Sequence, residues 1–348
     1  MEQPVLRLGL LGFTAAEKSK VMETIAQPNA GWPRWELADF EMADAWCIQG
    51  SSVQHEQGNT VRVCTLQASQ PTISLNPSEI TRPTAFTEPL PAGLQAVEMV
   101  NFSTPQLMRV GLQRFEAWLR PLRAQFALGC ELISRERELV QGIYHVIDHH
   151  GKLLAIINLF KWTAALLPIA RPVDFEEANW AQRPSMATDV PAGFVSISVA
   201  QLMWSYAVRT TQNVLPIRYK KDKIYLRKLP NLPLTYLRDE HLVVLRALSS
   251  KPLKFAELAQ MTQVPDVMLA RALAALYFAG SITTKKSAAG QLEKLRSPVG
   301  DQSSLPPDTL PGLGMMRPGY LLDSGSASYP GALSDMTAPA PFFDPKRN

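Results

Sequence analysis

The chain is poor in cysteine, has no long apolar run, and lacks the common signatures of nucleotide binding and nucleophilic catalysis. Its three cysteines, Cys47, Cys64 and Cys130, show no metal or redox spacing, and an odd number cannot all pair. Each is expected to pack as a small hydrophobe in a reducing compartment. The opening MEQPVLRLGLLGF has no basic segment ahead of a signal-length apolar stretch. The longest other apolar run, 153–170, is interrupted by Asn158, Lys161 and Pro168, so it makes a poor membrane span. These absences predict a soluble cytoplasmic protein with no membrane partner. No G-x-S-x-G, P-loop or G-x-G-x-x-G occurs, and the two glycines of LGLLGF have the wrong spacing. Among the histidines only His145, His149 and His150 cluster. His149 falls in an expected turn, and Asp148 is the one carboxylate close by, too little for a metal set. No catalytic residue, metal or cofactor is expected.

What is present is ordinary globular material. The 348 residues suffice for two or three domains, and 46% hydrophobic with 19% charged residues is a typical balance. Prolines number 28 and are unevenly placed; the net charge of +4 is a mild excess that does not identify a nucleic-acid binder.

Composition separates the chain into an α/β domain (1–92), a helical connector (93–123), an α+β module (124–235), a mainly helical domain (236–286) and a tail (287–348). In the first, VLRLGLLGF has buried-strand character. Thr14 and Glu17 have capping-box spacing at the head of a helix whose inward stripe is Val21, Met22 and Ile25. RWELADF, DAWCIQG, TVRVCTL, PTISLN and PTAFTEPL follow as short strands. In the connector, Thr104 or Ser103 caps a helix with Pro105 in its first turn, and Pro121 ends or kinks it. The α+β module has two strands around a His149-His150-Gly151 turn, a helix over SVAQLMWSYAVRT, and a hairpin over VLPIRYKKDKIYLRKLP turning at Lys221-Asp222-Lys223. Three helices come next, the first with Leu242, Leu245 and Leu248 inward and the third stopped by Gly280, then a strand-like SITTKK. The tail is rich in Pro, Gly and Ser without period and is expected to be disordered.

The first domain resembles the receiver domain of bacterial response regulators, a flavodoxin-like fold. The cadence Phe86-Thr87-Glu88-Pro89-Leu90 is similar to the end of a receiver's last strand, with Glu88 in place of the phosphate-sensing lysine. The resemblance implies an acceptor Asp after the third strand and acids after the first, because a hard cation needs carboxylates. This sequence has Gln49 or Gly50 at the first place, and Gly12, Phe13 and Thr14 at the second. PTISLN offers Ser74 or Asn76 for the phosphate-sensing hydroxyl. An abbreviated, inactive receiver-like domain is expected, with a connection between WELADF and DAWCI too short for a helix.

The region 236–286 resembles winged-helix domains in the order of its elements. DNA readers of that kind carry hydrogen-bonding side chains on the exposed face of the third helix. Here that helix has Arg271 as its one basic residue and Asp266 at the groove-entering end. Protein contact through Met268, Leu276 or Tyr277 is therefore the favoured use. The competing use is DNA binding through Lys285, Lys286 and the basic hairpin residues Arg218, Lys220, Lys221 and Lys223, or capture of a phosphorylated small molecule by the same hairpin. The whole predicts a non-enzymatic bacterial-type signalling or scaffold protein that binds another protein of a signalling pathway.

Overall fold

The computed structural model describes residues 1–27, 32–56, 60–64, 73–76, 80, 82–91, 98–187 and 189–289. The tail beyond lies outside the described residues. Val5–Leu11 (β1), Arg34–Leu37 (β2), Ala45–Ile48 (β3), Thr84–Thr87 (β7) and Met99–Val100 (β8) form a five-stranded parallel sheet in the order β2-β1-β3-β7-β8. This order is compatible with a flavodoxin-like fold. Parallel strands are buried on both faces, which is why β1 is an almost unbroken apolar run.

The two faces are covered differently. Helices Ala15–Ala26 (α1) and Pro105–Trp118 (α2) lie over Leu6, Leu8, Trp35, Cys47 and Ala85. The opposite face, Leu11, Ile48 and Phe86, is covered by a small antiparallel sheet of Val53–His55 (β4), Val61–Val63 (β5) and Ile73–Leu75 (β6). The β2–β3 connection holds only a single turn, Phe40–Met42, as its length dictated.

That insertion relocates two sequence assignments. The strand ending in Thr87-Glu88 is fourth in place, not last, because β8 pairs on its far side. Ser74 and Asn76 belong to the satellite sheet and its edge, away from the parallel strand ends. The parallel sheet and its covering helix α2 also draw on residues past 92. Met22 is corrected as well: it is 54% exposed, while Val21 and Thr24 are the buried positions of α1.

Leu119 separates α2 from Arg120–Ser134 (α3), and Pro121 in the first turn of α3 forces the break. Ile143–Ile147 (β9), Leu153–Asn158 (β10), Thr163–Leu166 (β11), Asn179–Arg183 (β12) and Val195–Ser198 (β13) form an antiparallel sheet in the order β12-β9-β10-β11-β13. The β9–β10 turn has Gly151 at φ +81°, the conformation for which glycine was expected. Helix Val199–Arg209 (α4), capped by Ser198 with Gln201 closing the box, packs between this sheet's inner face and the helices that follow.

The expected basic hairpin does not form. The stretch after Pro216 winds into a short helix, Arg218–Lys221 (α5), and Tyr225–Leu226 (β14) pairs instead with Ile282–Thr283 (β15). Tyr219 decides this: buried beneath β15, it donates its hydroxyl to the Ile282 carbonyl at 3.2 Å. Helices Asp239–Ser250 (α6), Phe255–Thr262 (α7) and Asp266–Phe278 (α8) complete the described chain, with Gly280 at φ +67° after α8. Leu245 and Leu248 face inward as expected, whereas Leu242 is 48% exposed. One continuous hydrophobic core joins the antiparallel sheet, α3, α4 and these three helices. No helix among the described residues is long and apolar enough to cross a membrane.

Candidate functional site

In open α/β sheets ligands bind in the crevice outside the strand carboxyl ends. Here β1, β3, β7 and β8 open onto a cleft of about 410 Å³. Its polar lining includes Glu17, Lys20, Gln49, Thr87, Glu88 and Asn101. The N-terminus of α1 points into this region, a place suited to an anion, but the chain fills it with its own carboxylate. Glu17 Oε2 accepts from the Thr14 amide and hydroxyl, both at 2.8 Å, and Thr14 Oγ1 accepts from the Glu17 amide at 3.2 Å. Glu17 Oε1 accepts from Gln49 Nε2 at 3.1 Å. Gln49 Oε1 accepts in turn from the Thr87 hydroxyl, whose oxygen takes the Gly50 amide at 3.2 Å. Gly50 has to be glycine, because a Cβ there would overlap the Thr87 and Pro89 carbonyl oxygens.

This circuit limits the chemistry. Gln49 is uncharged, Thr87 has an amide oxygen and no base beside it, and Glu17 and Glu88 outnumber Lys20 among the lining charges. Phosphate gains nothing from such a field. Sequence reasoning found Glu17 as a capping residue but missed that the cap also reaches Gln49. Thr87 stood inside the quoted cadence without a role, because its place in the sheet depends on the inserted β4–β6.

Other titratable groups stay separate. Among the described residues no group of three His, Cys, Asp or Glu side chains could hold a metal ion. His145 sits on β9 with a buried, unpartnered Nε2, and burial, aided by Arg183, pushes its pKa down. His149 and His150 lie in the exposed turn with ring centroids 3.7 Å apart. Cys47 is fully buried, and desolvation raises its thiol pKa far above the usual range.

The six cations proposed for anion binding do not make one ribbon. Arg218 lies over the Tyr219 and Tyr277 rings, 5.5 and 5.9 Å from their centroids. Lys220, Lys221 and Lys223 are exposed, with Lys220 lining one cleft and Lys223 another. Lys285 and Lys286 are exposed beyond β15 at the start of a single helical turn.

Of the three contact candidates on α8, only Met268 is available, at 46% exposure. Leu276 and Tyr277 are 0% and 5% exposed, a correction with a simple cause: α8 lies with α4 on one side and α6 on the other. From Ala272 to Phe278 every residue is buried, leaving Asp266, Val267 and Met268 as the open first turn. Comparison with known proteins gave no match: no protein family, curated protein or solved structure corresponds to this chain.

Proposed function

We propose that this chain is a non-enzymatic signalling or scaffold protein acting through protein–protein contact, with an inactive receiver-like domain and a winged-helix-like module at residues 236–286. The order of α6, α7 and α8 followed by β15, which pairs with β14 from ahead of α6, supports the second resemblance. The observation that carries the reading is the burial of α8. A winged helix that reads DNA lays its third helix in the major groove and presents hydrogen-bonding side chains there. This one keeps its last two turns inside the core and is exposed at Asp266, Val267 and Met268 in its first turn. An acid with two apolar neighbours repels phosphate and suits a protein surface. The self-satisfied crevice around Gln49 supports the absence of phosphoryl transfer.

The test is affinity capture with the intact protein from a nuclease-treated extract of its host. Protein partners should be retained after nuclease and should fall away with Met268→Asp, a substitution at an exposed position. Capture that disappears on nuclease treatment, or of nucleic acid alone, contradicts the reading. In parallel, acetyl phosphate with Mg²⁺ should add no mass to the first domain.

A further inference from the structure

A second cleft, of about 320 Å³, lies between the end of α4, the loop after it, α5 and the first turns of α8. Its floor is apolar, made by Ala207, Val214, Phe255, Ala270 and Ala274. At its rim stand Lys220 from α5 and Arg271 from α8. Among the described residues neither side chain has a hydrogen-bond or ion-pair partner, although nearly every other arginine near the module junction is committed. Arg209 holds Asp44, and Arg82 caps the carbonyls of Phe40, Glu41 and Ala43. Cations left uncommitted beside an apolar cleft of this size are a common arrangement for anchoring the head of an amphipathic ligand.

The charges set the ligand class. Lys220 and Arg271 face one carboxylate, Asp266, so the lining has a surplus of one positive charge. A monoanion balances that surplus; a phosphate dianion overshoots it and has no use for the apolar floor. Arg271 also stands close to Arg238, whose pKa is lowered by burial first and, against the opposing pull of Glu240, by the Arg271 charge. An anion at Arg271 relieves that repulsion.

We propose that this cleft binds a small carboxylate with a flat or flexible apolar body, the carboxylate between Lys220 and Arg271 and the body on the alanine-lined floor. The cleft is lined from both α4 and α8, which pack on each other, so a bound ligand bridges the two helices. The cleft borders the protein-contact surface through Asp266 and Val267, but Met268, the residue whose substitution tests that reading, is not among its lining residues.

The experiment uses the intact protein and 2-naphthoate as probe, followed by calorimetry and by melting temperature. Saturable 1:1 binding is expected, with a rise in melting temperature as a ligand of the folded state requires. Neutral 2-naphthamide and inorganic phosphate should each bind at least about tenfold more weakly, the first lacking the charge-assisted bonds and the second the apolar body. Lys220→Gln with Arg271→Gln, both at accessible positions, should reduce naphthoate affinity by about tenfold or more. The comparison of probes on the wild-type chain stands even if the double variant melts early. No saturable binding of naphthoate at millimolar concentration overturns the proposal. So does equal binding of the amide, tighter binding of phosphate, or unchanged affinity in a folded double variant.

Discussion

Arg209 grips Asp44 through two parallel bonds, NH1 to Oδ2 and NH2 to Oδ1, each 2.6 Å long. The pair ties the end of α4 to the entry of β3 across 165 residues of sequence. Asp44 Oδ2 also takes the Arg7 amide at 2.9 Å, and Arg209 NH1 reaches the Val5 carbonyl at 3.2 Å. Both side chains are about nine-tenths buried. The parallel-sheet layer and the antiparallel module are thereby fastened at a desolvated point, with Glu2 adding bonds to Thr210 and Thr211 alongside.

Removing one partner of this pair leaves the other charge buried and alone. Arg209→Ala or Asp44→Ala should therefore cost about 3–5 kcal/mol. Replacing both, as Arg209→Met with Asp44→Leu, should recover much of that loss, because a buried pair often breaks even against apolar packing. Denaturant melts of the three variants check this; a double variant as damaged as the sum of the singles contradicts it.

His241 predicts a pH dependence. It is 1% exposed against Trp204, ring centroids 4.6 Å apart, and its Nδ1 accepts the Arg238 amide at 3.1 Å. Burial chiefly, then the Arg238 charge, pushes its pKa down to about 3. The unfolded chain takes up the proton below about pH 6.5 and the folded chain does not, so stability falls as pH drops from there toward 3. The slope from this group reaches at most about 1.4 kcal/mol per pH unit. Burial raises the Glu116 pKa and works in the opposite sense, so the readout is the difference between wild type and His241→Gln. That difference should shrink or reverse steadily as the solution is acidified. A constant difference from pH 7 to pH 4 contradicts a neutral buried His241.

Tyr277 separates packing from contact. It meets the Tyr219 ring at 5.3 Å and Phe278 at 5.1 Å inside the core. Tyr277→Ala should cost about 3–5 kcal/mol of stability. The expected sign is a lower melting temperature; a well-folded variant with partner binding lost would restore Tyr277 as a contact residue.

Gly50 tests the crevice. Gly50→Ala forces its Cβ against the Thr87 and Pro89 carbonyls and should cost about 1–3 kcal/mol as the two loops move apart. Gly151→Ala is the contrast for space: nothing lies within 4 Å of a Cβ there, so its cost is confined to the positive φ. If Gly50→Ala melts as the wild type does, the packing of the crevice is looser than described.

Local signals were legible in the sequence. The Thr14–Glu17 box, the Pro121 break, the Gly151 turn and the Gly280 stop all act within a few residues, and each is realised. What failed depended on distant partners. The basic stretch from Arg218 alternates well enough for a hairpin, but Tyr219 and Leu226 are claimed by β15, more than fifty residues away. Leu276 and Tyr277 look like a second apolar face until α4 covers them. The crevice was half visible: Gln49 and Glu17 were named, while their hydrogen bond and the part of Thr87 required the strand order. Nothing local marks Arg209 as the partner of Asp44.

The central claim, that the helical domain packs its third helix inward and works through protein contact instead of reading DNA, is tested most directly by a salt titration on duplex DNA. Fluorescence anisotropy of a labelled non-specific duplex would be followed with the intact protein from 50 to 200 mM salt. The account predicts no binding at physiological salt, and no change in that result with Lys285→Ala and Lys286→Ala. Tight binding that weakens steeply with salt, and whose salt slope drops by about two phosphate contacts in the double-lysine variant, would contradict it.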